Sequence, residues 1–236
     1  MFENTNWKTV GAEVMGTFFL VFFGVSSLTS NAGISGEESG TLHILIGLIT
    51  LTLTLFVLVH ILGPVSGCHL NPVITIPTFL SDKMDRDTMI AYIGGQILGA
   101  CLGFYLFDLI NPGTNDSMLD GDSAVLIAAL VGTTFFVTSL LTSQDPASIG
   151  ATLFIVSSTA FKDVNPGVSL GNMIANDVDF MLFGIVGSLI GCIIGWGIKE
   201  NIIDQELQKL CYFFYRAKFL EINLFDRIIH FFIVLD

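Results

Sequence analysis

Charge is what this chain has least of. Only 13 % of its 236 residues are charged, against roughly 25 % in an ordinary soluble domain, and the mean hydropathy is +0.76, which excludes a water-soluble fold. Positive charge is scarcer still. Nine Lys and Arg stand against 21 Asp and Glu, for a net charge of −12, and no basic cluster forms. Nucleic acid is thereby excluded as a partner, for want of groups to neutralise phosphates. The four cysteines, Cys68, Cys101, Cys192 and Cys211, lie far apart with no Cys-x-x-Cys or histidine spacing. That argues against zinc and leaves them as small apolar residues. No nucleophile–base pair or ligand cluster is visible, so neither an enzyme nor a cofactor or metal is expected.

What is present is apolar: 52 % of residues are hydrophobic, with 21 Phe, 24 Gly and 6 Pro, the composition of a multi-span helical membrane protein. A bilayer core about 30 Å thick takes roughly 20 apolar residues per helix. On that measure six spans are expected, at about 9–30, 41–63, 88–108, 123–143, 145–161 and 179–198. The pair Asp145-Pro146 reads as the start of the fifth, with Asp capping and Pro in the first turn. The apolar run behind the first eight residues is too long for a cleavable signal and is read as the first span.

Orientation follows from the basic residues, which are retained on the cytoplasmic side. If six spans alternate, Lys8, Lys83, Arg86, Lys199, Lys209, Arg216, Lys218 and Arg227 share one side and only Lys162 falls on the other. Both termini are therefore expected in the cytoplasm, with the acidic loops 31–40 and 109–122 outside. The domains expected are a short cytoplasmic segment 1–8, a membrane-spanning body 9–199 and a cytoplasmic or interfacial tail 200–236. In the tail Ile203, Leu207, Leu210 and Phe214 recur at helical spacing, as in an amphipathic helix on the inner membrane surface; a regulatory plug is the other reading.

The chain also repeats itself. Ala12-Glu13-Val14-Met15-Gly16-Thr17-Phe18-Phe19 lines up with Ala128-Ala129-Leu130-Val131-Gly132-Thr133-Thr134-Phe135, and Gly95, Gly99 and Gly103 with Gly187, Gly191 and Gly195. The two repeats run over about 9–108 and 123–199. Three spans being an odd number, the second half crosses the membrane in the opposite sense, which is an inverted repeat with its site near the midplane. The spaced glycines are read as helix packing.

Each half contains an Asn-Pro: Asn71-Pro72 after span two and Asn165-Pro166 after span five. Asn before Pro is the signature of a helix start, Asn as cap and Pro at the first position. About ten moderately apolar residues follow each, too few to cross. Two half-helices entering from opposite faces would meet tip to tip, both presenting free amide donors and a partial positive charge. Glu13 is the only carboxylate well inside a span. It is read as a structural group accepting loop N–H bonds, with a proton relay as the alternative. Cys68 and His69 border the inner vestibule, where His69 is either a gate or a local hydrogen bonder.

Taken together, Ala12-Glu13-x-x-Gly16-Thr17, Ser66-Gly67-x-His69-x-Asn71-Pro72 and Gln96-x-x-Gly99-Ala100-x-x-Gly103 resemble the aquaporin, or major intrinsic protein, family over roughly residues 8–199. The resemblance implies an all-α membrane fold of six spanning helices and two re-entrant half-helices, assembled in the bilayer as a homotetramer with one pore per protomer. It implies a passive channel for water and small neutral solutes such as glycerol. Asn71 and Asn165 would donate to a passing oxygen, spare carbonyls of 66–69 and 162–164 would line the path, and the opposed helix tips would repel cations.

Departures from the family pattern are specific. The usual Asn-Pro-Ala reads Asn71-Pro72-Val73 and Asn165-Pro166-Gly167, and Ala129 stands where a second carboxylate is common. Counted without gaps, the outer constriction of the family falls on Leu51, Leu153, Lys162 and Val168, with no Arg. Lys162 either snorkels to the outer headgroups or stands at the pore mouth. Two other function classes remain open: an ion- or proton-coupled transporter, which would want more intramembrane carboxylates than Glu13, and a non-conducting junctional or scaffold protein of the same fold.

Overall fold

The computed structural model describes residues 2–3, 5–28, 39–110, 123–143, 145–158, 164–176 and 182–204. Its helices are α1 (Trp7–Phe19), α2 (Ser39–Ser66), α3 (Pro72–Leu80), α4 (Arg86–Ile110), α5 (Ser123–Thr142), α6 (Pro146–Ser158), α7 (Pro166–Asn176) and α8 (Leu182–Ile198). α1 runs on through a π-helical turn, Leu20–Gly24, and a 3₁₀ turn, Val25–Leu28. No strand occurs among the described residues.

Five helical stretches are long and apolar enough to cross a bilayer: Trp7–Leu28, Leu42–Ser66, Arg86–Ile110, Val125–Thr142 and Leu182–Ile203. The expected fifth span, 145–161, is described only as the 13-residue α6, and 159–161 lie outside the described residues. α6 starts as the sequence predicts: the Asp145 carboxylate accepts from the Ser148 N–H at 2.8 Å. Span two is longer than expected, because Pro64 sits inside α2 and does not end it; the helix runs on to Ser66.

Lipid tails give helices no hydrophobic reason to associate, so close backbone approach through small residues supplies the packing. α1 packs against α4, α2 against α6 and α7 against α4. At Gly99 of α4 a Cβ would overlap the Val14 carbonyl oxygen of α1 and stand 3.1 Å from Thr17 Cβ. At Gly191 of α8 a Cβ would overlap the Leu130 carbonyl oxygen of α5 and stand 3.1 Å from Thr133 Cβ. These are the same contact in two copies, and Thr17 and Thr133 are both wholly buried. The inverted repeat therefore extends to individual side-chain pairs.

The half-helices are bounded locally. Asn71 has extended backbone (φ −157°, ψ 127°) and its side-chain oxygen accepts from Val73 N–H, while α3 ends at Ser81, whose hydroxyl accepts from the Trp196 indole N–H at 2.9 Å. α4 then opens on Asp85, whose carboxylate takes the Thr88 N–H at 3.0 Å and the Thr88 hydroxyl at 2.6 Å. Those bonds hold the Asp85 carboxyl below its ordinary range.

Met1–Trp196 forms one compact unit and Gly197–Asp236 a second. Within the second, Lys199 pairs with Glu200 at 3.0 Å and with Asp204 at 2.7 Å. Most of the amphipathic tail expected from the sequence, 205–236, lies outside the described residues.

Candidate functional site

The loop between α2 and α3 takes a tight path: Gly67, Cys68 and Leu70 all have positive φ, at 84°, 50° and 50°. For the two non-glycine residues the left-handed region costs about 1–2 kcal/mol each. Glu13 offsets that cost. From α1, with no exposed surface, it accepts four hydrogen bonds: Ser66 Oγ at 2.7 Å and His69 N at 3.0 Å on Oε1, Leu70 N at 2.7 Å and Gln96 Nε2 at 2.9 Å on Oε2. These partners lie at the end of α2, on the α2–α3 loop and on α4. Each carboxylate oxygen thus accepts two donors.

Gln96 extends the anchor to α3, since its Nε2 also donates to Thr75 Oγ1 at 3.0 Å. Thr75 in turn donates to the Asn71 carbonyl at 3.1 Å, so its oxygen is the acceptor toward His69 Nδ1 at 3.2 Å. This fixes the proton of a neutral His69 ring on Nδ1 and leaves Nε2 as an acceptor. His69, Ser66 and Tyr92 border an open depression of about 610 Å³ that also reaches Asp82, Lys83 and Thr88. Cys68 is buried and does not line it. Gln96 as an anchor was missed from sequence, although the signal was there: a polar side chain inside an apolar run, as for Glu13.

In the second half Asn165 caps α7, its side-chain oxygen accepting from Gly167 N at 3.1 Å and Val168 N at 3.2 Å. The two caps then reach across. Asn71 Nδ2 donates to the Val164 carbonyl at 2.8 Å, and Asn165 Nδ2 donates to the Leu70 carbonyl at 2.9 Å. Each Asn thus spends its oxygen on its own helix, one amide hydrogen on the opposite loop, and retains one hydrogen. Pro72 and Pro166 open the two helices. The tip-to-tip meeting read from the paired Asn-Pro motifs is present, and its reciprocal bonds could not be read from sequence.

One expected feature differs. The carbonyls thought spare are partly engaged: Ser66 O takes the Tyr92 hydroxyl at 3.0 Å and Val164 O takes Asn71. Of the expected constriction residues, three are described. Leu51 and Leu153 share one buried apolar cluster, whereas Val168 packs against Val21, Ala100 and Phe104 of another. Lys162 lies outside the described residues. The halves also differ in their anchors. At the positions repeating Glu13 and Gln96 the second half has Ala129 and Ser188, both buried, so no carboxylate–amide pair stands there.

Known proteins share this fold. The X-ray structure of the aquaglyceroporin from Plasmodium falciparum superposes with a TM-score of 0.67 at 18 % identity, covering 83 % of this chain and 96 % of that one, which shows the fold. The lens fiber major intrinsic protein of Lithobates pipiens is 35 % identical over 106 residues, 45 % of this chain and 38 % of that relative's own length. Aquaporin NIP1-1 of Zea mays is 26 % identical over 204 residues, 78 % of this chain and 71 % of the relative. The family model described as major intrinsic protein matches residues 1–199, most of the sequence, and this multi-pass membrane protein belongs to the major intrinsic protein family.

Proposed function

We propose that the protein is a passive transmembrane channel for water and small uncharged solutes of glycerol size, with an atypical outer mouth. One observation carries the reading: two capping asparagines, cross-bonded at 2.8 and 2.9 Å, each keep one amide hydrogen at the meeting point of two positive helix ends. A neutral oxygen can accept from both in turn. A cation meets two dipole ends of like sign, and a water held by two donors cannot pass a proton along. Membership of the family supports the same reading, as do relatives named aquaporin and aquaglyceroporin.

In this reading the outer mouth is built by Leu51, Leu153, Lys162 and Val168, without the planar guanidinium of an Arg. An ammonium on a flexible stem between apolar walls makes a mouth that adapts to solutes larger than water. Both termini lie in the cytoplasm, and the working unit is a homotetramer in the cell membrane. Coupled transport is disfavoured because Glu13, the one carboxylate well inside a span, is fully engaged by four donors.

Stopped-flow swelling of proteoliposomes tests this, with water, glycerol, urea and an ionic control on one preparation, with and without an imposed proton gradient. The expected result is flux of water and glycerol above empty vesicles, indifferent to the gradient, with no ionic leak. Flux that depends on the gradient, or none at all, overturns the channel.

A further inference from the structure

The two residues that follow the Asn-Pro pairs, Val73 and Gly167, differ by three carbons where the family pattern has Ala twice. We propose that they are a compensating pair of positioning residues: Gly167 lets the tip of α7 close onto Pro72, Val73 fills the matching place on the other side, and together they set where the two asparagine amides stand. This rests on the channel reading for its functional consequence.

The contact at Gly167 is rigid on both sides. A Cβ there would stand 3.0 Å from Pro72 Cδ, 3.3 Å from Pro72 Cγ and 3.3 Å from the Asn165 side-chain oxygen. A proline ring with fixed φ cannot swing away as a long side chain would. The Asn165 oxygen is already committed to Gly167 N and Val168 N. A methyl at 167 therefore pushes on the first residue of α3 or on the cap of α7. Either displacement moves an asparagine, because Pro72 is bonded to Asn71 and Asn165 is the cap itself.

Val73 is equally constrained. It has no exposed surface and shares a buried apolar cluster with Val164 and Cys192. Its N–H donates to the Asn71 side-chain oxygen at 3.1 Å and its carbonyl accepts from Cys192 Sγ at 3.3 Å. A β-branched side chain is stiff at χ1, so this residue acts as a fixed wedge. Under the two-fold relation of the repeats, Val73 is to Pro166 what Gly167 is to Pro72. Bulk added on one side of the axis is matched by bulk removed on the other, which displaces the meeting point of the tips instead of forcing them apart.

A double-mutant cycle on the full chain tests the pair: Val73→Ala, Gly167→Ala and the two together, each scored by melting temperature in detergent and by water and glycerol permeation per inserted protein. Gly167→Ala is expected to lower water permeation about threefold or more and to shift the water-to-glycerol ratio, with the double variant returning to within about twofold of the parent, as for residues coupled through contact. If Gly167→Ala alone does not fold, recovery of a folded protein in the double variant supports the pair, and failure to recover overturns it. Independent, additive effects in both readouts overturn it, as does a ratio unmoved across the cycle in a parent that conducts. A parent that passes neither water nor glycerol defeats the channel reading separately, and the melting cycle then decides the pair: coupling supports it and additivity overturns it.

Discussion

Asn71 and Asn165 each do two jobs with one amide, and Asp can take over only one of them. A carboxylate still caps a helix, but it cannot donate to the opposite carbonyl or to a solute, and it places an anion between two positive helix ends. Asn71→Asp and Asn165→Asp are each expected to insert and fold, to lower water flux about tenfold or more, and to weaken the cation barrier, as a loss of one donor and a reversal of local charge would. Flux and proton leak in the same vesicles check this. At the outer mouth the expectation concerns Lys162 and Val168. Lys162→Ala should raise glycerol flux and ionic leak, and Val168→Arg should shift selectivity toward water by returning a rigid guanidinium. A water-to-glycerol ratio unchanged in both would place the constriction on other residues. Val168 packs against Val21, Ala100 and Phe104, so the Arg variant also tests whether a side chain at 168 leaves that cluster for the pore.

At the scale of elements, the α2–α3 loop and the loop leading into α7 are held by different means. The first is pinned by Glu13 and Gln96 through five hydrogen bonds that include Thr75. The cap of the second is tied across to the first half through Leu70, and Gly171 of α7 admits so close an approach to α4 that a Cβ there would overlap Ala100 Cβ. Removing the carboxylate leaves buried donors at Ser66, His69, Leu70 and Gln96 without their acceptor, and hydrogen bonds to a charged group contribute about 1.5–3 kcal/mol each. Glu13→Ala is accordingly expected to destabilise by about 3 kcal/mol or more and to abolish flux. Gln96→Ala, which removes one donor and leaves three, should cost about 1–3 kcal/mol. Thermal melting in detergent ranks the two. A Glu13→Ala protein as stable as the parent would mean that the left-handed path of the loop is held by something else.

For the whole molecule, the inverted repeat makes a claim about sidedness. Lys83 and the segment after α8 should face the cytoplasm, and the loop 109–122 should face outward. Single cysteines placed at Lys83 and at Asp116 in a cysteine-free background should react with a membrane-impermeant maleimide from opposite sides of oriented vesicles. Labelling of both from one side would remove the odd-span argument on which the repeat's opposition rests. The same preparation, cross-linked in mild detergent, should give tetramers.

Much of this was legible because its physics is local. Hydropathy locates spans without knowledge of neighbours, since each must satisfy its backbone within the bilayer by itself. The Asn-Pro pairs announce helix starts, and a lone carboxylate in an apolar run announces a buried partner. Where a boundary depends on a neighbour, the reading slipped: Pro64 lies inside α2 although proline usually ends a helix. What tertiary structure alone decided is how the separate pieces use one another. The reciprocal bonds of Asn71 and Asn165 join residues 93 and 95 positions apart in the chain. The proton on His69 is set by Thr75, whose own hydroxyl is committed to the Asn71 carbonyl, and the crowding of Gly167 comes from a proline in the opposite half. Sequence spacing fixes which groups a helix presents, whereas the partner each group meets depends on how two halves approach, and that distance is a sum of packing contacts no single segment encodes.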